Sequence, residues 1–150
     1  MPKWLDMPPL WLAFFVAFAW LQSSYLSARL TFGGVWSDFL GGLLVGAGLV
    51  LIGLAAAEFR RHKTTIVPHN APSRLIQSGI FKRTRNPIYL ADVLILAGLI
   101  LRWDAVLSLP LIPVCLWILE KRFITPEETL MRQAFRVEYA KYERKVRRWL

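Results

Sequence analysis

Three short clusters in this chain carry side chains able to bind or to react: Arg85-Asn86-Pro87 with Tyr89, the acid Asp92, and Glu127-Glu128. Asn86-Pro87 has the form of a helix start, with Asn as N-cap and Pro at the first helical position. The unpaired N–H groups of such a start also form an anion site, and Arg85 before it suits a snorkelling side chain. Thr125-Pro126-Glu127-Glu128 reads as a second helix start, and a capping role alone accounts for Glu128. Asp92 lies one turn inside an apolar run, on the face of Tyr89. Acids in such surroundings are functional by default, although this one is near enough to an interface to be hydrated. Other chemistries are missing. The single Cys115 sits in an apolar run, no Cys/His metal spacing exists, and no G-x-G-x-x-G follows a strand.

The elements that must position these residues are apolar. Of 150 residues, 55% are hydrophobic, mean hydropathy is +0.40, and net charge is nevertheless +9. That combination suits basic loops held against anionic lipid, with membrane lipids as partners, better than it suits nucleic acid. Apolar runs cover residues 9–26, 39–57, 88–101 (within a span of 86–103) and 105–119. They predict an all-α integral membrane bundle of about four transmembrane helices, forming a single domain. A signal peptide, with Lys3 ahead of the first run, is disfavoured by the length of that run. Only Arg102-Trp103-Asp104 separates the last two runs, which predicts a tight hairpin.

Basic residues crowd into 60–85 and 121–150, while Arg29 and Arg102 in the other connections are each offset by an acid. The positive-inside rule then puts both termini and the central loop of this integral membrane protein in the cytoplasm, the membrane being the cell inner membrane if the cell is bacterial. The central loop holds three turn-formers, Pro68, Asn70 and Pro72. In the tail, Leu130, Met131, Ala134, Phe135, Tyr139 and Tyr142 recur at helical spacing, predicting a C-terminal amphipathic helix against the membrane or the bundle. Gly42 and Gly46 form a G-x-x-x-G step for close helix packing, within the bundle or in a homo-oligomer.

Taken in order, these segments resemble the isoprenylcysteine carboxyl methyltransferase family, especially its small bacterial members, and more distantly the phospholipid N-methyltransferases. The resemblance rests on Gly79, Arg85-Asn86-Pro87 with Tyr89, Glu127-Glu128, and a tail with Phe135, Glu138, Tyr139 and Tyr142. It covers about residues 63–150. It implies methyl transfer from S-adenosylmethionine at a membrane, without a Rossmann domain and without a metal. It further implies that Leu75, Ile76 and Phe81 enclose the adenosine, next to the Gly79 turn and Arg85. Asn86, Pro87 and Tyr89 would hold the amino-acid end, and Glu127 would reach a polar group of the cofactor. Arg122 suits either a snorkelling helix end or the steering of an anionic acceptor, which would make it catalytic together with Glu127.

Three positions depart from the family pattern. Asn86 replaces the His of the eukaryotic members, Phe81 stands where Tyr is usual, and Asp92 occupies a site expected to be apolar. They bear on the acceptor, a lipophilic small molecule offering a carboxylate, a thiol or a lipid amine. The alternative function is a non-catalytic membrane scaffold or partner subunit that keeps the fold. A small transporter subunit, for which Asp92 argues, lacks an inverted repeat.

Overall fold

The computed structural model describes residues 6–26, 29–64, 70 and 72–150. Lys3 and Pro68 lie outside the described residues. The described chain is all-α, a bundle built from α1 (Pro8–Tyr25), α2 (Val35–Arg61), α3 (Pro87–Arg102), α4 (Leu111–Leu119) and α5 (Thr125–Lys145). Short 3-10 turns occupy Gly79–Lys82 and Val106–Ser108, and a π-helical segment, Glu120–Ile124, joins α4 to α5.

Four transmembrane spans are not what forms. Among the described residues one helix, Val35–Arg61, is long and apolar enough to cross a membrane. At 1.5 Å per residue α3 reaches about 24 Å and α4 about 14 Å, against a hydrocarbon core of about 30 Å. α1 is diluted by two prolines at its start and by Gln22, Ser23 and Ser24 near its end. The hydropathy runs joined residues that the backbone separates: Pro110 and the 3-10 turn before it cut the fourth run to nine helical residues. The placement of both termini in the cytoplasm of a multi-spanning protein came from the charge distribution and required an even number of spans, and without four spans it does not hold. The expected tight hairpin is also a longer connection, in which Asp104 accepts from Thr31 Oγ1 at 2.8 Å and from the Phe32 amide at 2.9 Å.

The main core lies between α1, α3 and α4, where Phe15, Ala19, Leu96, Ile100, Cys115, Leu119 and Phe123 are buried together. α2 packs along α3 through glycines other than those the spacing suggested. A Cβ on Gly41 would meet the Gly98 carbonyl at 2.6 Å, and one on Gly48 would meet the Ala91 carbonyl at 2.9 Å. Gly42 and Gly46 have nothing within 4 Å. Both sets are small residues spaced for helix contact, and the partner's position decides which set is used.

α5 does begin at Thr125, but Thr125 is not the N-cap that its sequence suggests. Ile124 and Thr125 are both helical, and no side chain caps α5. Pro126 has no N–H to give to a carbonyl one turn back, and the widened π segment just before it absorbs that loss. The tail helix bends sharply at Arg136 (φ 40°, ψ −111°). Its second arm turns Tyr139 and Tyr142 back onto Met131, Phe135, Leu75 and Val146.

Candidate functional site

Where α1, the Gly79–Lys82 turn, α3 and α5 converge, they enclose a cavity of about 340 Å³. Pro87 opens α3, its fixed φ suited to a first helical position. That start presents Asn86, Ile88 and Tyr89 to the cavity, with Arg85 just before it. α5 brings Glu127, Glu128, Met131, Tyr139 and Tyr142 to the opposite wall. Phe59, Leu75, Ile76 and Phe81 form an apolar side, and Met7 with Pro8 and Pro9 at the start of α1 completes the rim.

Two polar systems face this space. In the first, Tyr89 donates its hydroxyl to Glu127 Oε1 at 2.6 Å, while its ring stacks on Phe123 at 6.2 Å. The second is a network of arginines and glutamates. Arg85 reaches Glu128 at 3.0 Å, Glu143 at 3.3 Å and the Tyr139 hydroxyl at 3.4 Å. Arg148 grips the same Glu128 with two nitrogens, at 3.0 and 2.7 Å, and reaches Glu120 at 2.6 Å. Arg132 pairs with Glu143 and Glu128. Three guanidinium groups thus meet three carboxylates, Glu120, Glu128 and Glu143, and the two most buried members, Arg85 and Glu128, pair with each other. Arg132 beside Glu143 holds that carboxyl below its usual range, whereas burial pushes the Tyr139 phenol up, against the opposing pull of Arg85. Arg85 Nε is buried and has no hydrogen-bond partner among the described residues.

The cavity collects Leu75, Ile76, Phe81, Arg85, Asn86, Pro87, Tyr89 and Glu127. Gly79 stands outside its lining, at the head of the turn that carries Phe81, with φ +56°. Arg122 is also outside. Its Nε pairs with Asp6, and its guanidinium lies over the Trp11 ring at 5.5 Å. Asn86 makes no side-chain cap. Its Nδ2 donates to the Arg148 carbonyl at 3.0 Å, as Thr84 does at 3.3 Å, while the Arg85 amide donates to the Arg147 carbonyl at 3.1 Å. Asp92 is buried one turn beyond Tyr89, and its Oδ2 lacks a partner among the described residues. Glu120, Glu143 and Arg148 were not singled out by sequence reasoning. Arg148 sits in a run of basic residues with the look of a charged tail, and no local pattern marks it as a ligand of Glu128.

Residues 36–138 match the family described as phospholipid methyltransferase. Neither a curated protein nor a solved structure matches the chain. The match corrects the assignment to the isoprenylcysteine carboxyl methyltransferases. The residues behind that resemblance include most of those it assigned to the methyl donor and none that it assigned to the acceptor, so they could not separate families by acceptor. The chain belongs to the phospholipid methyltransferase family, and it is an S-adenosylmethionine-dependent methyltransferase that acts on membrane-associated lipid.

Proposed function

We propose that the cavity between α3 and α5 holds S-adenosylmethionine, and that the acceptor is the headgroup amine of a phospholipid. The observation that carries this reading is the meeting of Arg85 with the Tyr89–Glu127 pair inside one aromatic-walled cavity. Its volume falls in the usual range for small-ligand sites, roughly 300–1,000 Å³. Phe59, Phe81, Tyr89 and Tyr139 suit a sulfonium cation, an attraction of about 0.5–2 kcal/mol. Glu127 suits an ammonium or ribose hydroxyl as a charge-assisted acceptor. Arg85, with its buried Nε, and the amides at the start of α3 suit a carboxylate. Leu75, Ile76 and Phe81 offer the apolar wall for adenosine.

Bound there, the donor supplies an electrophilic methyl group. The chain's own residues then hold, align and exclude water, contributions that need no metal. Of the three acceptor classes, carboxylate, thiol and amine, the family match favours the amine. A route for a lipid is consistent with α1. Met7 to Pro9 reach the cavity rim, and Leu10, Phe14 and Phe18 continue from it as an exposed stripe spaced every four residues.

The test is transfer of labelled methyl from S-adenosylmethionine to vesicles of phosphatidylethanolamine, with calorimetry of donor binding in detergent. Label is expected in the lipid amine, and Glu127→Ala is expected to weaken donor binding about tenfold or more, as loss of a charged hydrogen bond in a dry site should. Label recovered only as a methyl ester or thioether would overturn the acceptor. An unchanged affinity in Glu127→Ala would overturn the placement of the donor.

A further inference from the structure

The end of α2 carries a carboxylate outside the cavity lining. Glu58 is only 9% exposed, and it accepts the hydroxyl of Ser78 through Oε2. His62, one turn on, sets Nδ1 3.7 Å from the same oxygen and Nε2 3.4 Å from Ser78 Oγ. Arg61 stands 4.0 Å from Oε1. A buried carboxylate is retained only where donors satisfy it, and here the donor that comes from a distant segment is Ser78.

The next residue shows how tightly the two segments are set. Gly79 has φ +56°, and a Cβ built on it would lie 2.5 Å from Glu58 Oε1 and 2.6 Å from Cδ. The turn therefore needs glycine for its backbone and for its distance from Glu58. Beyond the turn, the Phe81 ring stands edge-on to Phe59, the residue after Glu58, with centroids 5.6 Å apart. The Phe81 carbonyl accepts the Tyr142 hydroxyl at 2.7 Å. Phe59, Ile76 and Phe81 are walls of the cavity on either side of this grip.

We infer that Glu58 is a positioning residue for donor binding: by holding Ser78 it fixes the Gly79 turn, and through that turn the Phe81 wall. An apolar residue at 58 could pack against the turn, but only a hydrogen bond sets its angle as well as its distance. The inference rests on the donor occupying the proposed cavity.

The experiment compares full-length variants in detergent, reading donor affinity by calorimetry and KM and kcat with phosphatidylethanolamine vesicles. Glu58→Ala should raise Kd and KM for S-adenosylmethionine about tenfold while kcat at saturation changes by less than about threefold, the pattern of lost binding rather than lost chemistry. Glu58→Gln still accepts from Ser78 and should restore most of the affinity. Ser78→Ala should resemble Glu58→Ala, and it decides the question by the same readouts if Glu58→Ala does not fold. Gly79→Ala should also weaken binding. Combined with Glu58→Ala it should fall short of the product of the two effects, because the collision is gone. Wild-type affinity in both Glu58→Ala and Ser78→Ala, or a Gln variant no better than Ala, would overturn the inference. Glu127→Ala serves as reference: if it too binds normally, the cavity assignment fails, whereas weak binding there beside normal binding in Glu58→Ala rejects only the role of Glu58.

Discussion

Tyr89 and Glu127 are separated by 38 positions, yet the phenol of one donates to the carboxylate of the other at 2.6 Å. The bond ties the first turn of α3 to the first turn of α5, and the stacking of Tyr89 on Phe123 sets its direction. Glu127 is thereby held at the cavity wall in one orientation.

Tyr89→Phe keeps the stacked ring and removes the donor. Hydrogen bonds to charged groups contribute about 1.5–3 kcal/mol, so affinity for S-adenosylmethionine should drop about fivefold or more, with smaller loss in Tyr89→Phe than in Glu127→Ala. Titration calorimetry of both variants checks the order.

Asp92 buries a carboxyl oxygen with no partner among the described residues. Leaving such a group unsatisfied costs about 1–3 kcal/mol, so Asp92→Leu should stabilise the fold by an amount of that order. Chemical denaturation in detergent reads it. A loss of stability would mean that the carboxyl is satisfied in a way the fold does not display.

The second arm of α5 should respond to acid. Glu143 has its carboxyl held low by Arg132, with Arg85 adding to the effect. A carboxyl depressed in the folded state contributes stability that is complete above its ordinary range and is lost as pH falls through the folded value. Protection factors for hydrogen exchange over residues 137–145, which correct for the intrinsic slowing of exchange in acid, should therefore fall below about pH 4. Glu143→Gln should show the lower protection already at pH 7, with less further change on acidification.

Gly98 and Gly46 offer a matched contrast. A Cβ on Gly98 would lie 2.6 Å from the Gly41 carbonyl, whereas one on Gly46 meets nothing. Gly98→Ala should destabilise by about 1–3 kcal/mol through overpacking. Gly46→Ala should stabilise by about 0.5–1 kcal/mol from helix propensity. Denaturation midpoints of the two variants decide it.

Leu75, Ile76 and Phe81 of the cavity wall were reached through the family resemblance, whereas Asn86 and Pro87 were legible from backbone chemistry alone. Pro87 allows one reading, a first helical position, and α3 does begin there. Pro126 allows two, a helix start or a tolerated proline behind a widened turn, and local sequence does not separate them. Arg122 and Arg85 look alike in one dimension, but one meets Asp6 and the other meets Glu128 and Glu143. Those partners lie far off along the chain, so no spacing rule reaches them. The span count failed for a related reason. Hydropathy averages across Pro110 and Ser108, while the backbone breaks there.

The contact of α2 with α3 brings main chain against main chain at Gly41 and Gly98, with the Val45 and Ile95 side chains seated against Gly98 and Gly48. These two helices consequently travel as one stiff plate. The start of α1, at the cavity rim, is fastened instead by side chains. The ion pair of Arg122 with Asp6, two residues ahead of α1, ties that start to the π segment as its hasp.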